Sequence, residues 1–405
     1  MLPLMEIPAS GQPVFSDDLI MQILSWLPVM YLLQFRCVAK SWKSLISLPT
    51  FIKLHLERSP RNANLFIALD DIFEDSFSVM YCCKHYFLEY PSSVISDEGG
   101  GVSLTYKYCF IGSCNGLVCL HGSTSEDGEF EVYEYNRREY WFRICNPALG
   151  LRSKKSPLLC VDLDIFDSIE CGFGYDKSSD TYKVVAILSN TSAMEDSERT
   201  QVKVYAIGEH CWRDIQPFPA FPYNFEKQGR FLSGTINWLA VQNYSPEYDL
   251  DEVTIDQLVI VSLDLGKETY QQFLLPDGLN EAHVHNPRLV VLMDCLCLSY
   301  DYKITYFVLW QMKEFGIEKS WTQLVKVSYE YLQIKRFPFP LPGPRFYSSM
   351  PLCMSDNGDV LMLIDDQVYE VILYNMRDRK VQHTGIPKHR FQIYAADYVE
   401  SLILP

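Results

Sequence analysis

Apolar residues recur at helical spacing over residues 15–56, a pattern that predicts three or four short helices. Ser16 stands at an N-cap position, and two aspartates follow in the first turn, where the helix dipole stabilises carboxylates. The first helix is expected to end at Pro28, because proline cannot donate the next backbone hydrogen bond. A second helical pattern spans Val29–Val38, and Trp42 marks a third. The apolar positions cover more than one face, which indicates a partner or a packed neighbour.

After residue 64 the hydrophobic period changes from helical to alternating, which is typical of strands. From Tyr108 onward the strands are separated by Gly, Asn and Asp turns and group in threes. The five triplets are residues 116–120, 130–135 and 140–144; 182–187, 202–207 and 211–215; 234–239, 258–263 and 269–273; 295–298, 304–309 and 321–324; and 360–364, 369–374 and 380–382. Trp141, Trp212, Tyr270 and Trp321 take equivalent places, so we predict one small antiparallel sheet per repeat.

Sheets of this size expose apolar faces that only a neighbouring sheet can cover, which favours radial closure into a β-propeller. Residues 65–110 and Phe391–Tyr398 are expected to form or close a further blade, giving six blades, with seven as the alternative. The predicted fold class is α+β multidomain, with three to four helices followed by an all-β propeller. The expected divisions are a flexible N-terminus at 1–14, the helical domain at 15–58, a polar, Pro-containing linker at 59–64 and the propeller at 65–405.

Composition narrows the class of partner. The formal net charge of −16 argues against nucleic acid and against an anionic membrane surface. Thirteen cysteines without a disulfide framework fit reduced thiols. No apolar run reaches the roughly 18 residues that a membrane span needs, and the first residues lack the basic region of a secretory signal. We therefore expect the protein to reside in the cytoplasm, the nucleus or both.

Residues that bear catalytic or metal-binding chemistry form no recognisable set in the sequence. His283 and His285 flank Val284, but no Cys or carboxylate accompanies them at metal-ligand spacing. The cysteines lack paired CxxC spacing, and no nucleophile elbow or phosphate-binding loop occurs. Adjacent acids such as Asp70 and Asp71 would point to opposite sides of a strand, so they are not placed for acid/base catalysis. Solvated turns are the better interpretation of such pairs. We expect no catalytic residue, metal or cofactor, although a propeller enzyme such as a glycosidase with a helical appendage remains the alternative.

Residue order within the helical segment matches a known motif at fourteen positions. They are Leu19, Ile23, Leu24, Leu27, Pro28, Leu32, Leu33, Phe35, Arg36, Cys37, Val38, Lys40, Trp42 and Leu45. With these residues the segment closely resembles the F-box, the adaptor-binding motif of substrate receptors in SCF-type ubiquitin ligases. The family usually opens with Leu-Pro, which is replaced here by Phe15-Ser16. Phenylalanine can fill the apolar role, and serine caps the helix.

The β-rich part contains a series of short phrases at residues 113–119, 145–148, 172–176 with 180–185, 234–238, 262–265 and 398–402. In these phrases it resembles the F-box-associated, kelch-like domain of plant F-box proteins. They span most of the chain in the family's order. The usual Trp-Asn-Pro of the family is Cys145-Asn146-Pro147 here.

These resemblances imply a substrate receptor that catalyses nothing itself. Its F-box is expected to bind a Skp-family adaptor, which links it to a cullin, while the propeller holds a protein target. The residues expected to form the adaptor-binding, helix-in-groove surface are Phe15, Leu19, Ile23, Leu24, Leu27, Pro28, Leu32, Leu33, Phe35, Val38 and Trp42.

Three long connections of the first three repeats are expected to share one rim of the propeller. Residues 123–131, 189–200 and 241–256 carry net charges of −4, −2 and −5. Solubility alone is one explanation of such loops. The other is that the rim docks a target with a basic surface. The candidate target-binding residues are Glu126, Asp127, Glu129, Tyr244, Tyr248, Asp249, Asp251 and Glu252.

Overall fold

The computed structural model describes most of the chain. The described ranges are 16–61, 63–71, 76–90, 101–104, 108–124, 137–223, 228–246, 253–277, 279, 284–303, 305–333, 349–355, 357–365, 370–384 and 391–405. Helices open the chain and strands follow, as the change of hydrophobic period predicted.

Four short helices form the N-terminal domain, and within the described ranges two more lie among the strands. They are α1 Asp17–Leu24, α2 Val29–Phe35, α3 Lys40–Ile46, α4 Pro49–Arg58, α5 Lys84–Glu89 and α6 Asp196–Arg199. The Ser16 hydroxyl accepts a hydrogen bond from the Leu19 amide at 3.3 Å, which confirms the predicted N-cap. The first helix ends at Leu24, four residues before Pro28, because the Trp26 and Leu27 amides bond the Ile23 and Leu24 carbonyl oxygens in tighter, three-residue turns.

The propeller is built from 26 strands within the described residues. The first thirteen are β1 Asn64–Asp71, β2 Ser76–Cys83, β3 Gly101–Leu104, β4 Cys109–Cys114, β5 Leu117–Ser123, β6 Arg137–Asn146, β7 Leu151–Arg152, β8 Leu159–Asp162, β9 Ser168–Asp176, β10 Thr181–Ser189, β11 Thr200–Ala206, β12 Arg213–Asp214 and β13 Phe221–Pro222. The others are β14 Arg230–Leu232, β15 Thr235–Val241, β16 Leu258–Asp264, β17 Thr269–Leu274, β18 Val284–Leu292, β19 Cys295–Tyr302, β20 Tyr306–Met312, β21 Trp321–Ser328, β22 Ser349–Met354, β23 Val360–Asp365, β24 Glu370–Asn375, β25 Lys380–His383 and β26 Phe391–Tyr398.

These strands form six antiparallel blades. Blade 1 has the order β26-β1-β2-β3, so the last strand closes the ring on the first. Blade 2 contains β4 to β8, blade 3 β9 to β12, blade 4 β13 to β17, blade 5 β18 to β21 and blade 6 β22 to β25. The inner strands β26, β4, β9, β14, β18 and β22 contact one another in that order around a closed ring. The predicted six-blade propeller is confirmed.

The predicted triplets correspond to the outer three strands of blades 3 to 6, and each blade has a further inner strand. The first triplet was assigned wrongly. Trp141 lies in β6, which pairs directly with β5 as the third strand of blade 2. Trp212, Tyr270 and Trp321 lie in or beside fourth strands, so Trp141 is not their equivalent. A large aromatic suits any strand between packed sheets, and its spacing alone does not give the strand number. Residues 130–135 lie outside the described residues.

Antiparallel pairing gives the propeller two distinct faces. Connections between first and second strands, and between third and fourth strands, leave at one face, which we call the proximal face. Connections between second and third strands, and from one blade to the next, leave at the opposite or distal face. The chain that follows β26 emerges at the proximal face, where it meets the helical domain.

Candidate functional site

An apolar face on the helical domain is exposed to solvent. Ile23 and Trp26 retain 55% and 68% of their accessible surface, and Leu19, Met30, Tyr31 and Val38 are exposed beside them in the sequence. Leu19 and Ile23 are four residues apart on α1, a spacing that puts both side chains on one side of the helix, and Trp26 follows in the turn after it. Large apolar side chains grouped in this way indicate a protein-binding surface. We call these six residues the helical apolar face.

The residues predicted to bind an adaptor divide into three groups. Leu19, Ile23, Pro28 and Val38 are exposed. Leu24 and Leu32 are buried in the helical core, so they support the helices from inside. The half-buried side chains that pack against this core are Leu27, Leu33, Phe35 and Trp42. Phe15 lies outside the described residues.

Sequence reasoning missed Trp26, Met30 and Tyr31. Trp26 lies in the turn between α1 and α2, where the Arg58 guanidinium sits 5.0 Å from the centre of its ring. Arg58 also donates to the Ser25 hydroxyl at 2.6 Å, so α4 holds this turn in place. The i, i+4, i+7 spacing from Leu19 is the signal that points to Trp26.

A buried histidine fixes the same turn from beneath. His55 of α4 donates from Nε2 to the Leu27 carbonyl oxygen at 2.9 Å. Because Leu27 precedes Pro28, this bond anchors the entry into α2. Burial lowers the pKa of His55, which favours the neutral ring that this contact uses.

The segment after β26 joins the helical domain to the propeller. Leu402 is buried in the helical core with Phe51 and Val29, and retains 1% of its surface. The buried Asn146 side chain donates to the Ser401 and Ile403 carbonyl oxygens at 3.0 and 2.8 Å. This segment therefore contacts both domains. We call residues 399–403 the connecting tail.

On the distal face, three connections are held together. The Asp167 carboxylate accepts from the Thr191 amide at 2.9 Å. Arg199 Nη1 donates to the Tyr244 carbonyl oxygen at 2.5 Å, and the Tyr244 hydroxyl donates to the Thr191 carbonyl oxygen at 3.1 Å. The predicted placement of residues 189–200 and 241–256 on one face is therefore confirmed for the described part of these connections.

Tyr244, one of the candidate target-binding residues, does not present its ring to solvent. Its ring stacks on Phe221 with centroids 3.9 Å apart and is buried. A tyrosine can bury its ring and still satisfy its hydroxyl, as this one does on Thr191. The other candidate target-binding residues lie outside the described residues, and they are Glu126, Asp127, Glu129, Tyr248, Asp249, Asp251 and Glu252.

Among the described residues, no group of three or more His, Cys, Asp and Glu side chains is placed to hold a metal ion. His283 lies outside these residues. No helix in the described ranges combines the length and apolar character needed to cross a membrane.

Comparison with known proteins gives both parts of the chain a family. Residues 15–54 match the F-box domain, and residues 102–404 match the F-box associated beta propeller domain. An F-box/kelch-repeat protein of Arabidopsis thaliana is 28% identical, with 76% of this chain and 78% of that protein covered. The Arabidopsis thaliana F-box protein CPR1 is 25% identical, with 96% of this chain and 88% of that protein covered.

Among solved structures, the chain is similar to the periplasmic gluconolactonase PpgL of Pseudomonas aeruginosa. The TM-score is 0.38 at 8% identity, and the match covers 82% of this chain and 99% of that one. The two family matches, the four N-terminal helices and the six closed blades lead to one identification. The chain belongs to the F-box proteins that carry an F-box associated β-propeller domain.

Proposed function

We propose that this chain is the substrate-recognition subunit of an SCF-type ubiquitin ligase. Its F-box binds a Skp-family adaptor, the adaptor links it to a cullin, and the propeller holds the protein target. In this role the chain catalyses nothing itself and supplies proximity and orientation. The observation that carries the proposal is the helical apolar face, with Ile23 and Trp26 more than half exposed.

The adaptor surface is proposed to consist of the exposed part of the predicted set together with Trp26, Met30 and Tyr31. Leu24 and Leu32 act indirectly, because their burial in the core keeps α1 and α2 in place. Arg58 and His55 support the proposal by holding the turn that carries Trp26 and Leu27. A surface held rigid before binding loses less conformational entropy when it binds.

The target is proposed to dock on the distal face, away from the F-box. The connecting tail places the F-box at the proximal face, so adaptor and target do not compete for space. The acidic connections support a target with a basic surface, through electrostatic complementarity. All thirteen cysteines are free thiols, which supports a reducing compartment such as the cytoplasm or nucleus. The division into an F-box at 15–58, a linker at 59–64 and a propeller at 65–405 is part of this proposal.

The proposal is tested by calorimetric titration of the full chain with a purified Skp-family adaptor. Replacing both Ile23 and Trp26 by alanine should weaken binding at least about tenfold, since central anchors dominate interface energy. The melting temperature should not change, because both side chains are exposed. The matched control is Tyr86→Ala with Tyr90→Ala, two exposed aromatic residues in α5 and directly after it, and this variant should bind normally. Absence of binding by the wild-type chain, or equal binding by the Ile23/Trp26 variant, would contradict the proposal.

A further inference from the structure

A second group of apolar side chains is exposed on the distal face. Leu163, Ile165 and Met194 retain 40%, 50% and 79% of their accessible surface. Leu163 and Ile165 lie in the connection from blade 2 to blade 3, and Met194 lies in the connection between β10 and β11. Both connections leave at the distal face, opposite the F-box.

Hydrogen bonds fix these two connections to each other. Asp167, two residues after Ile165, accepts from the Thr191 amide at 2.9 Å. The Asp167 amide also donates to the Ser189 carbonyl oxygen at 3.0 Å. The apolar side chains therefore stand on a surface that is already ordered, and we call Leu163, Ile165 and Met194, together with Asp167, Glu195 and Glu198, the distal patch.

The two stretches of sequence that carry these apolar side chains contain acidic residues and no basic ones. Asp167, Glu195 and Glu198 are exposed, and residues 162–170 and 189–198 contain no Lys or Arg. The nearest cation in this connection is Arg199, whose guanidinium donates to the carbonyl oxygens of Met194 and Tyr244. Arg199 thus uses N–H donors of its guanidinium to stabilise the backbone of this connection. The distal patch presents exposed carboxylates together with exposed apolar side chains.

We propose that the distal patch binds a segment of the target in which apolar side chains are flanked by Lys or Arg, as on one side of a basic amphipathic helix. This inference rests on the proposed function and names the chemical class of its target. The apolar side chains supply contact area that is removed from water on binding. The carboxylates attract the flanking cations and disfavour acidic segments with the same apolar side chains.

The probe for this proposal is a synthetic helix made only of Leu and Lys, labelled with a fluorophore. Its binding to the full chain is measured by fluorescence anisotropy at physiological ionic strength, about 0.15 M, where exposed charges are screened beyond roughly 8 Å. A second helix, with every Leu replaced by Gln, keeps the charge and removes the apolar contacts. The proposal expects the Leu/Lys helix to bind at least about tenfold more tightly than the Gln/Lys helix.

Two variants of the full chain separate the apolar contribution to binding from the electrostatic contribution. Replacing Ile165 and Met194 by aspartate should weaken binding of the Leu/Lys helix at least about tenfold. The matched control replaces Leu274 and Ile317 by aspartate, since these exposed apolar residues belong to blades 4 and 5. Replacing Glu195 and Glu198 by glutamine should slow association and reduce its dependence on salt.

Equal loss in the control variant, equal binding of the two helices, or no effect of the Ile165/Met194 variant would overturn the proposal. Adaptor binding is measured on the same preparations. A chain that binds the Leu/Lys helix as expected but no Skp-family adaptor would contradict the proposed function alone. If the wild-type chain binds the adaptor but binds the Leu/Lys helix no better than the Ile165/Met194 variant does, this result would contradict the proposal for the distal patch alone.

Discussion

The Glu400 side chain accepts a hydrogen bond from the backbone amide of Val29 at 2.9 Å, across 371 positions of sequence. Val29 is the first residue of α2, so a propeller-side carboxylate satisfies a helix N-terminus of the F-box. Burial raises the pKa of Glu400, and the Val29 bond partly opposes this rise. Together with the buried Leu402, this contact makes the connecting tail a physical link between the F-box and the face of the propeller.

Replacing Leu402 by alanine should loosen the F-box from the propeller. Leu402 retains 1% of its surface, and a buried Leu→Ala change typically costs about 2–5 kcal/mol. Limited proteolysis of the variant should cut near residues 59–61 faster than in the wild-type chain and leave one large β-rich fragment.

The matched control for this prediction is Leu404→Ala, two residues after Leu402, because Leu404 is 68% exposed. Its cleavage rate should equal that of the wild-type chain. Several stable fragments from inside the propeller, or equal cleavage of the two variants, would show that Leu402 does not hold the domains together.

A buried ionic network between blades 3 and 4 should make stability depend on pH. Lys183 Nζ lies 2.9 Å from the Asp176 carboxylate and 3.0 Å from that of Glu268. Burial alone would raise the pKa of Asp176, but hydrogen bonds from Ser178, Ser179 and Lys183 outweigh it and hold the pKa well below its usual range. A carboxyl with a lowered folded-state pKa stabilises the fold above the ordinary value of about 4 and loses this contribution as the pH falls.

Replacing Lys183 by methionine should therefore lower the free energy of unfolding by about 3–5 kcal/mol, because it leaves buried charge uncompensated. The variant should also lose less stability between neutral and acid pH, since the pKa of Asp176 returns toward its usual range. Lys203→Met is the control: its partner Asp214 is exposed, and such pairs contribute about 1 kcal/mol or less. Denaturant unfolding at several pH values measures both effects, and similar losses in the two variants would contradict the network's role.

A close approach between the inner strand β9 of blade 3 and the second strand β15 of blade 4 requires glycine at position 172 of β9. A Cβ there would lie 2.6 Å from Ile236 Cγ2 and 2.9 Å from Trp238, which is far inside van der Waals contact. Gly172→Ala should destabilise the propeller by about 1–3 kcal/mol through overpacking. At Gly112 of β4 the nearest atom would be 3.7 Å away, so Gly112→Ala should cost much less, and equal thermal shifts for the two variants would refute this account of blade packing.

Local signals in the sequence predicted most of the elements. The Ser16 cap, the change of hydrophobic period and the Gly and Asn turns were sufficient to place α1 and the outer strands of blades 3 to 6. They did not identify the inner strands of blades 3 to 6, and β14, with three residues, is too short to show a period. The aromatic spacing likewise put Trp141 in the wrong strand.

The candidate sites were predicted less completely, because side-chain exposure depends on tertiary packing. Leu24 and Ile23 are adjacent apolar residues, yet one is buried in the helical core and the other is more than half exposed. Tyr244 lies in a polar, acidic stretch of sequence, but its ring fills a gap against Phe221. The contact between Val29 and Glu400 joins distant positions, and no periodicity within a window of residues can reveal it.

The central claim is that the F-box binds an adaptor while the distal face stays free for a target. Hydrogen–deuterium exchange of the full chain, alone and saturated with a Skp-family adaptor, tests it most directly. The account predicts slower exchange in α1, α2 and α3 with the adaptor bound, and unchanged exchange in residues 163–167 and 190–199. Unchanged exchange in the helices, or slower exchange in those distal connections, would contradict it.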